Sequence, residues 1–317
     1  MRRTISLCAL LLLSACIVRL DEDDVFRPVA FDAALARKSG ERMIAERAFL
    51  SEDAWIAAWH ARAAADELPA SPAPFIPAAV EHAYLSPANS GLAWTSVSRL
   101  RPATSKADDR LIVRCGGNTS TRQRSGYRYT LAALAYGDVL LFDYPGYGES
   151  RGEADAAGFR AMLADLADLV RERAEGRQVV LWGHSLGGLV CAELSRVLPE
   201  TDAVILETSA PNARETAEAW TPWYAAPFVR IVIPRSLADF DAAAALGEFG
   251  GPVLVMGAAR DRVLPVSLSR SLYEALKDGG RDVTYIEFAG GGHTDLMRQA
   301  DFAPALTNFF ARLSGAD

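Results

Sequence analysis

From about residue 80 onward, short apolar runs rich in β-branched residues alternate with longer stretches that repeat at helical spacing. That alternation limits the fold more than any other feature of the chain. The runs cover 80–85, 92–99, 111–115, 138–142, 178–182, 203–207, 252–256 and 283–288. The helical stretches lie at about 122–136, 155–174, 186–197, 267–278 and 301–313. Strands that are apolar throughout, rather than on every second residue, belong to a sheet covered on both faces. The expected class is therefore α/β: a mostly parallel twisted sheet of about eight strands, with helices on both faces. The first two runs pair across a turn near Asn89-Ser90-Gly91. Half of the residues are apolar, enough to fill a core of that size.

One strand-to-helix junction carries chemistry. The run 178–182 passes at once into Gly183-His184-Ser185-Leu186-Gly187-Gly188, and helical sequence follows from Leu189. A serine on so sharp a turn stands above the carboxyl edge of the sheet, at a helix N-terminus whose dipole favours a developing anion. Glycines two residues before and two after leave room for the turn. Ser185 is the expected nucleophile.

A serine needs a base, and the base needs a third group to orient it. In this context the partners follow in the order acid, then histidine. Asp261 lies just past the run 252–256, in Ala259-Arg260-Asp261-Arg262. His293 lies in Gly290-Gly291-Gly292-His293-Thr294, after the last run. The other three histidines fit the role less well: His60 is in the N-terminal stretch, His82 in the first run and His184 in the turn itself.

These motifs, from about residue 80 to the end, resemble the α/β-hydrolase family. Asp143-Tyr144-Pro145-Gly146-Tyr147-Gly148-Glu149-Ser150 is similar to the family's Asp-x-x-Gly-x-Gly-x-Ser loop. Gly116-Gly117-Asn118-Thr119 resembles its His-Gly-Asn loop, with Gly116 where the family often has histidine. The resemblance implies an oxyanion hole made by the backbone amides of Asn118 and Leu186. It implies ester cleavage through an acyl-enzyme, with no metal or organic cofactor. It leaves room for only a small cap, about 209–250, whose Trp220, Trp223, Tyr224 and Phe228 line an acyl pocket or pack the cap.

The N-terminus reads as an address. Arg2 and Arg3 precede an apolar run at 7–13 that is too short to span a bilayer as a helix, and small residues close it. Leu13-Ser14-Ala15-Cys16 resembles the bacterial lipobox. The resemblance implies removal of 1–15 and lipidation of Cys16, giving a membrane-anchored lipoprotein outside the cytoplasm. Ile17 is not the Asp of an inner-membrane retention signal, so in a two-membrane cell the expected site is the periplasm-facing outer membrane. Residues 16–30, with Asp21-Glu22-Asp23-Asp24, read as a solvated acidic tether. Residues 31–67 read as helical, with Trp55 and Trp59 on one face, either packed on the main domain or forming a lip over its pocket. Dense proline at 69–77 marks a linker, and the hydrolase-like domain spans 78–317.

Composition excludes other classes. A net charge of −7 is not that of a nucleic-acid-binding surface, and four histidines with no Cys-x-x-Cys offer no zinc ligand set. After Cys8 and Cys16 are set aside, Cys115 and Cys191 are expected as two separate buried thiols. The leading expectation is a carboxylic-ester hydrolase. The same triad could also serve amide, peptide or thioester hydrolysis. A non-catalytic binding lipoprotein on the same fold is the reading from another class.

Overall fold

The computed structural model describes residues 16–32, 60, 78–85, 90–99, 109–122, 124, 130 and 132–315. In chain order the elements begin with β1 (Cys16–Arg19), α1 (Glu22–Val25), β2 (Ala78–Tyr84), β3 (Ala93–Arg99), β4 (Arg110–Cys115) and β5 (Asp138–Phe142). Next come α2 (Ala156–Ala174), β6 (Gln178–His184), α3 (Leu186–Val197), β7 (Ala203–Glu207), α4 (Ala213–Trp220) and β8 (Val229–Val232). The chain closes with α5 (Arg235–Ala238), α6 (Ala242–Leu246), β9 (Val253–Ala258), α7 (Val266–Asp278), β10 (Val283–Phe288) and α8 (Phe302–Leu313). Eight strands form one sheet in the order β10-β9-β7-β6-β4-β5-β3-β2. Only β3 runs against the others, pairing antiparallel with β2 and β5. The leader 1–15, the linker and nearly all of 31–77 lie outside the described residues, as do 123, 125–129 and 131 within the expected helix at 122–136.

The sheet is buried on both sides, as its apolar strands require. Along β6, Val179 and Leu181 face one core and Val180 and Trp182 the other. The first core is closed by Phe159, Met162 and Leu166 of α2, by Leu194 of α3 and by Leu272 of α7. The second is closed by α8, whose buried Phe302, Ala305, Leu306, Phe309 and Phe310 follow the spacing of a one-faced helix.

The acidic tether is the expectation that the structure corrects. β1 pairs in parallel with β8, Cys16 opposite Val229 and Arg19 opposite Val232. The acidic run is a single helical turn closed by a capping box between Asp21 and Asp24. Its Glu22 carboxylate accepts from Ala156 N–H (2.9 Å) at the start of α2. Phe26, just after it, is 3 % exposed and stacks on Phe159 at 4.3 Å between ring centroids. Gly148 N–H then donates to Val29 O (2.8 Å). The charges are solvated, but one buried ring and a row of backbone bonds bind the arm to the domain. Phe26→Ala should therefore lower unfolding free energy by about 3 kcal/mol in a urea titration. A change within experimental error would mean that the arm is not docked in solution.

Candidate active site

β6 delivers Ser185 on a turn that few residues adopt, with φ 54° and ψ −120°. Its side chain makes no cap for α3, so the hydroxyl is not spent on the helix. The surrounding backbone holds it: Ser185 N–H donates to Glu207 O (2.9 Å) at the end of β7, and its carbonyl accepts from Gly188 N–H (3.0 Å) and Ser209 Oγ (3.0 Å). A β-carbon on Gly183 would strike the carbonyl oxygen of Gly187, and one on Gly187 would strike that of Cys115. The glycine spacing thus reflects two close backbone approaches around the turn.

Asp261 and His293 meet above the ends of β9 and β10. Asp261 Oδ1 accepts from Val263 N–H (2.7 Å) and Leu264 N–H (2.8 Å), which fixes the carboxylate. Its Oδ2 lies 2.7 Å from His293 Nδ1. The carboxylate is 1 % exposed and the imidazole 13 %. An ionised carboxylate only accepts, so the Nδ1 proton belongs to this bond and leaves Nε2 as the acceptor of a neutral ring. Two residues passed over in the sequence hold the histidine backbone. His184 Nε2–H donates to His293 O (2.8 Å), and Thr208 Oγ donates to the same oxygen (3.2 Å). The position of His184 between the glycine turn and the last loop has no local sequence signal.

The loop after β4 sets Gly117 close to Ser185 and places Asn118 on the same cavity. Among the described residues neither the Asn118 nor the Leu186 backbone N–H has a hydrogen-bond partner. The side chain of Asn118 makes three hydrogen bonds. Its Oδ1 accepts from Tyr147 Oη (2.8 Å) and Arg27 N–H (2.9 Å), and its Nδ2 donates to Val25 O (2.6 Å). Tyr144 Oη donates to Gly116 O (2.5 Å). These bonds brace the loop even though glycine stands at 116. Burial pushes the Tyr147 hydroxyl pKa up, so it remains a donor.

The loop 143–150 is ordered by Asp143. Arg122 donates to it from the backbone (2.7 Å) and from Nε (3.1 Å), and reaches Glu149 from Nη2 (2.6 Å). Burial pushes the Asp143 carboxyl up, and Arg122 opposes that shift. Gly148 sits at φ +51°, where a β-carbon would collide with the Asp143 carboxylate. Ser150 Oγ donates to Asp143 O (2.7 Å) and accepts from Ala93 N–H (2.8 Å), tying the loop to β3.

Two further expectations change. Cys115 and Cys191 are not separate thiols: they form a disulfide, their Cα atoms 6.3 Å apart and 76 residues apart in sequence. The end of β4 and the first turns of α3 pack directly against each other beneath Ser185, which brings the sulfurs together. The cap aromatics do not act as one set. Trp220 lines the cavity and donates from Nε1 to Val263 O (2.7 Å). Trp223, Tyr224 and Phe228 are 86 %, 65 % and 48 % exposed and do not line the cavity.

The cavity has a volume of about 530 Å³. Ser185, His293, Asn118 and Leu186 all open onto it, with Leu189, Ala213 and Leu264 among its apolar walls. The N-terminal arm supplies a further wall through Leu20, Asp24, Val25 and Arg27. No group of side chains suited to a metal ion occurs among the described residues.

Strand order, the tight turn at Ser185 and the braced loops together define an alpha/beta hydrolase. The chain belongs to that family, whose model, described as the alpha/beta hydrolase family, matches residues 111–305. It is similar to the lysophosphatidylserine lipase ABHD12 of Danio rerio, 27 % identical over 221 residues, covering 63 % of this chain and 57 % of that protein. The Macaca fascicularis lipase of the same name is 30 % identical over 178 residues, covering 51 % of this chain and 44 % of that protein. The chain thus spans about half the length of these curated relatives. Among solved structures, it resembles the Pyrococcus furiosus esterase Pf2001 with a TM-score of 0.53 and 15 % identity, covering 78 % of this chain and 96 % of that one. It also resembles the Pyrococcus horikoshii acylaminoacyl peptidase with a TM-score of 0.55 and 16 % identity, covering 74 % and 41 %.

Proposed function

We propose that the chain is a serine hydrolase that cleaves carboxylic esters through Ser185, His293 and Asp261. The observation that carries this reading is the 2.7 Å Asp261–His293 pair, whose histidine lines the same cavity as a serine held at positive φ. His293 Nε2 takes the proton of Ser185 as Oγ attacks the ester carbonyl carbon, and Asp261 stabilises the imidazolium that results. The tetrahedral oxyanion is received by the amides of Asn118 and Leu186, each such donor contributing about 3 kcal/mol in comparable sites. Collapse breaks the C–O bond, and the departing alcohol takes the proton from His293. Water, deprotonated by the same histidine, then attacks the acyl-enzyme and releases the acid and the free serine.

A largely apolar cavity of about 530 Å³ with a few convergent polar groups suits a single acyl chain bearing a polar alcohol portion. The relatives named as lysophosphatidylserine lipases support a monoacyl lipid as the substrate class. Cys16 is the proposed site of lipidation after removal of 1–15, and the enzyme is proposed to work at a membrane outside the cytoplasm. The Cys115–Cys191 disulfide supports an oxidising compartment. No helix among the described residues is long and apolar enough to cross a membrane.

A series of chromogenic esters of increasing acyl length, each paired with its matched amide, tests the proposal. Turnover of esters well above amides, with an optimum at intermediate chain length, is the expected result. Correctly folded protein that turns over no ester would overturn it and favour a binding role.

A further inference from the structure

We infer that the outer face of the cap, together with β1, is a bilayer-docking surface that sets the mouth of the cavity on the membrane. Trp223, Tyr224, Trp220 and Ile17 are each more than half exposed, and Phe228 nearly so. Water-exposed aromatics so closely spaced are uncommon on a soluble surface, and a clustered apolar patch marks a contact site. Trp223 and Tyr224 pack edge to face at 5.9 Å. Their rings combine an apolar body with a polar tip, the combination found at the headgroup level of bilayers.

The register of β1 identifies the occupant. Cys16 pairs with Val229, the residue after Phe228, and Ile17 pairs with Arg230. The apolar sequence at 7–13 leads into Cys16. Whether that leader is kept or replaced by acyl chains on Cys16, the membrane-seeking group joins the chain at the edge of this patch. No slack separates them, because β1 is bonded to β8 and Leu20 N–H donates to Val232 O (3.0 Å). A flexible spacer would let the domain tumble beneath its anchor; a paired strand holds one face down. Exposed Arg19 and Arg230 flank the patch, and exposed Asp21 and Asp23 follow. With charge of both signs present, the apolar contact dominates and a zwitterionic bilayer suffices.

The face is continuous with the cavity mouth. Trp220 and Val263, joined by a hydrogen bond, are half exposed and line the cavity that holds Ser185, and Leu20 lines it from the arm. Substrate therefore enters from the lipid phase, a consequence that rests on the ester-hydrolase reading although the docking does not.

The test uses the full chain on phosphatidylcholine vesicles, with and without brominated acyl chains. Bromolipid should quench tryptophan emission, and Trp223→Phe should remove part of the quenched signal. Equal fractional quenching of Trp223→Phe and the unsubstituted chain, with no loss of quenched amplitude, would overturn docking through this face. A second protein carrying Trp223→Ser, Tyr224→Ser and Phe228→Ser should hydrolyse a soluble short-chain ester within twofold of the parent. It should hydrolyse a monoacyl ester embedded in vesicles at least tenfold more slowly. Equal rates on both substrates would overturn entry from the lipid phase. If the parent hydrolyses neither ester, the catalytic reading fails, and the quenching result still decides the docking.

Discussion

Ser185→Gly is expected to abolish ester hydrolysis while making the protein more stable. The serine is held at φ 54° and ψ −120°, where its β-carbon crowds the backbone. Such strain typically costs about 1–3 kcal/mol. Glycine removes it, and the greater freedom of glycine in the unfolded chain takes back about 0.5–1 kcal/mol. A net gain of about 1 kcal/mol in denaturant unfolding is the expected balance. Ser185→Ala separates the two effects, because it keeps the β-carbon and loses only Oγ. Its stability should match the parent, and its activity should fall by about 10⁴-fold or more. Neither variant should be labelled by a fluorophosphonate probe that labels the parent. Labelling of Ser185→Ala would show that the reactive group lies elsewhere.

Replacing Cys115 and Cys191 together by alanine should have the largest effect on stability away from the catalytic groups. The crosslink closes a span of 76 residues. Loop-closure entropy for a span of that size is worth about 3–5 kcal/mol. In a domain of this size each kcal/mol moves the melting midpoint by about 2–4 °C. A fall of about 10 °C in calorimetry is therefore expected, with the parent converging on the variant when unfolded in a phosphine reductant. Melting points that stay equal under oxidising conditions would mean that the cysteines are unbonded in solution. Activity should fall as well, since the bond ties the strand that leads into the Asn118 loop to the helix that carries Leu186.

Much of the sheet could be read because parallel strands buried on both faces are local signals. The runs at 138–142, 203–207 and 283–288 coincide with β5, β7 and β10, and the others differ by a residue or two at their ends. Ser185, Asp261 and His293, the triad proposed above, share a related signal: each lies within about five residues of a strand end, so the sheet carries all three to one edge. What was not readable depends on partners far apart in sequence. Phe26 stacks on Phe159 and Asn118 bonds Val25, with no periodicity to announce either contact. The acidic run suggested a solvated spacer because its charges do face water, whereas the residue that docks the arm is a single phenylalanine beyond it. Two cysteines in separate elements carry no information about distance until the chain between them is folded. The four residues of β8 are too few to distinguish from the cap around them, so the strand partner of β1 went unseen.

The clasp formed by the side chain of Asn118 bears on how this molecule can be handled. Its carboxamide grips the chain at Val25 and Arg27, while the residue itself lines the cavity onto which Ser185 opens. The functional unit therefore starts well upstream of the first strand of the large sheet. A trimmed fragment starting near residue 78 would keep Ser185, Asp261 and His293 yet have an open-sided binding chamber. Expression and crystallisation strategies should preserve the arm as part of the enzyme, and attach any purification handle at the far terminus.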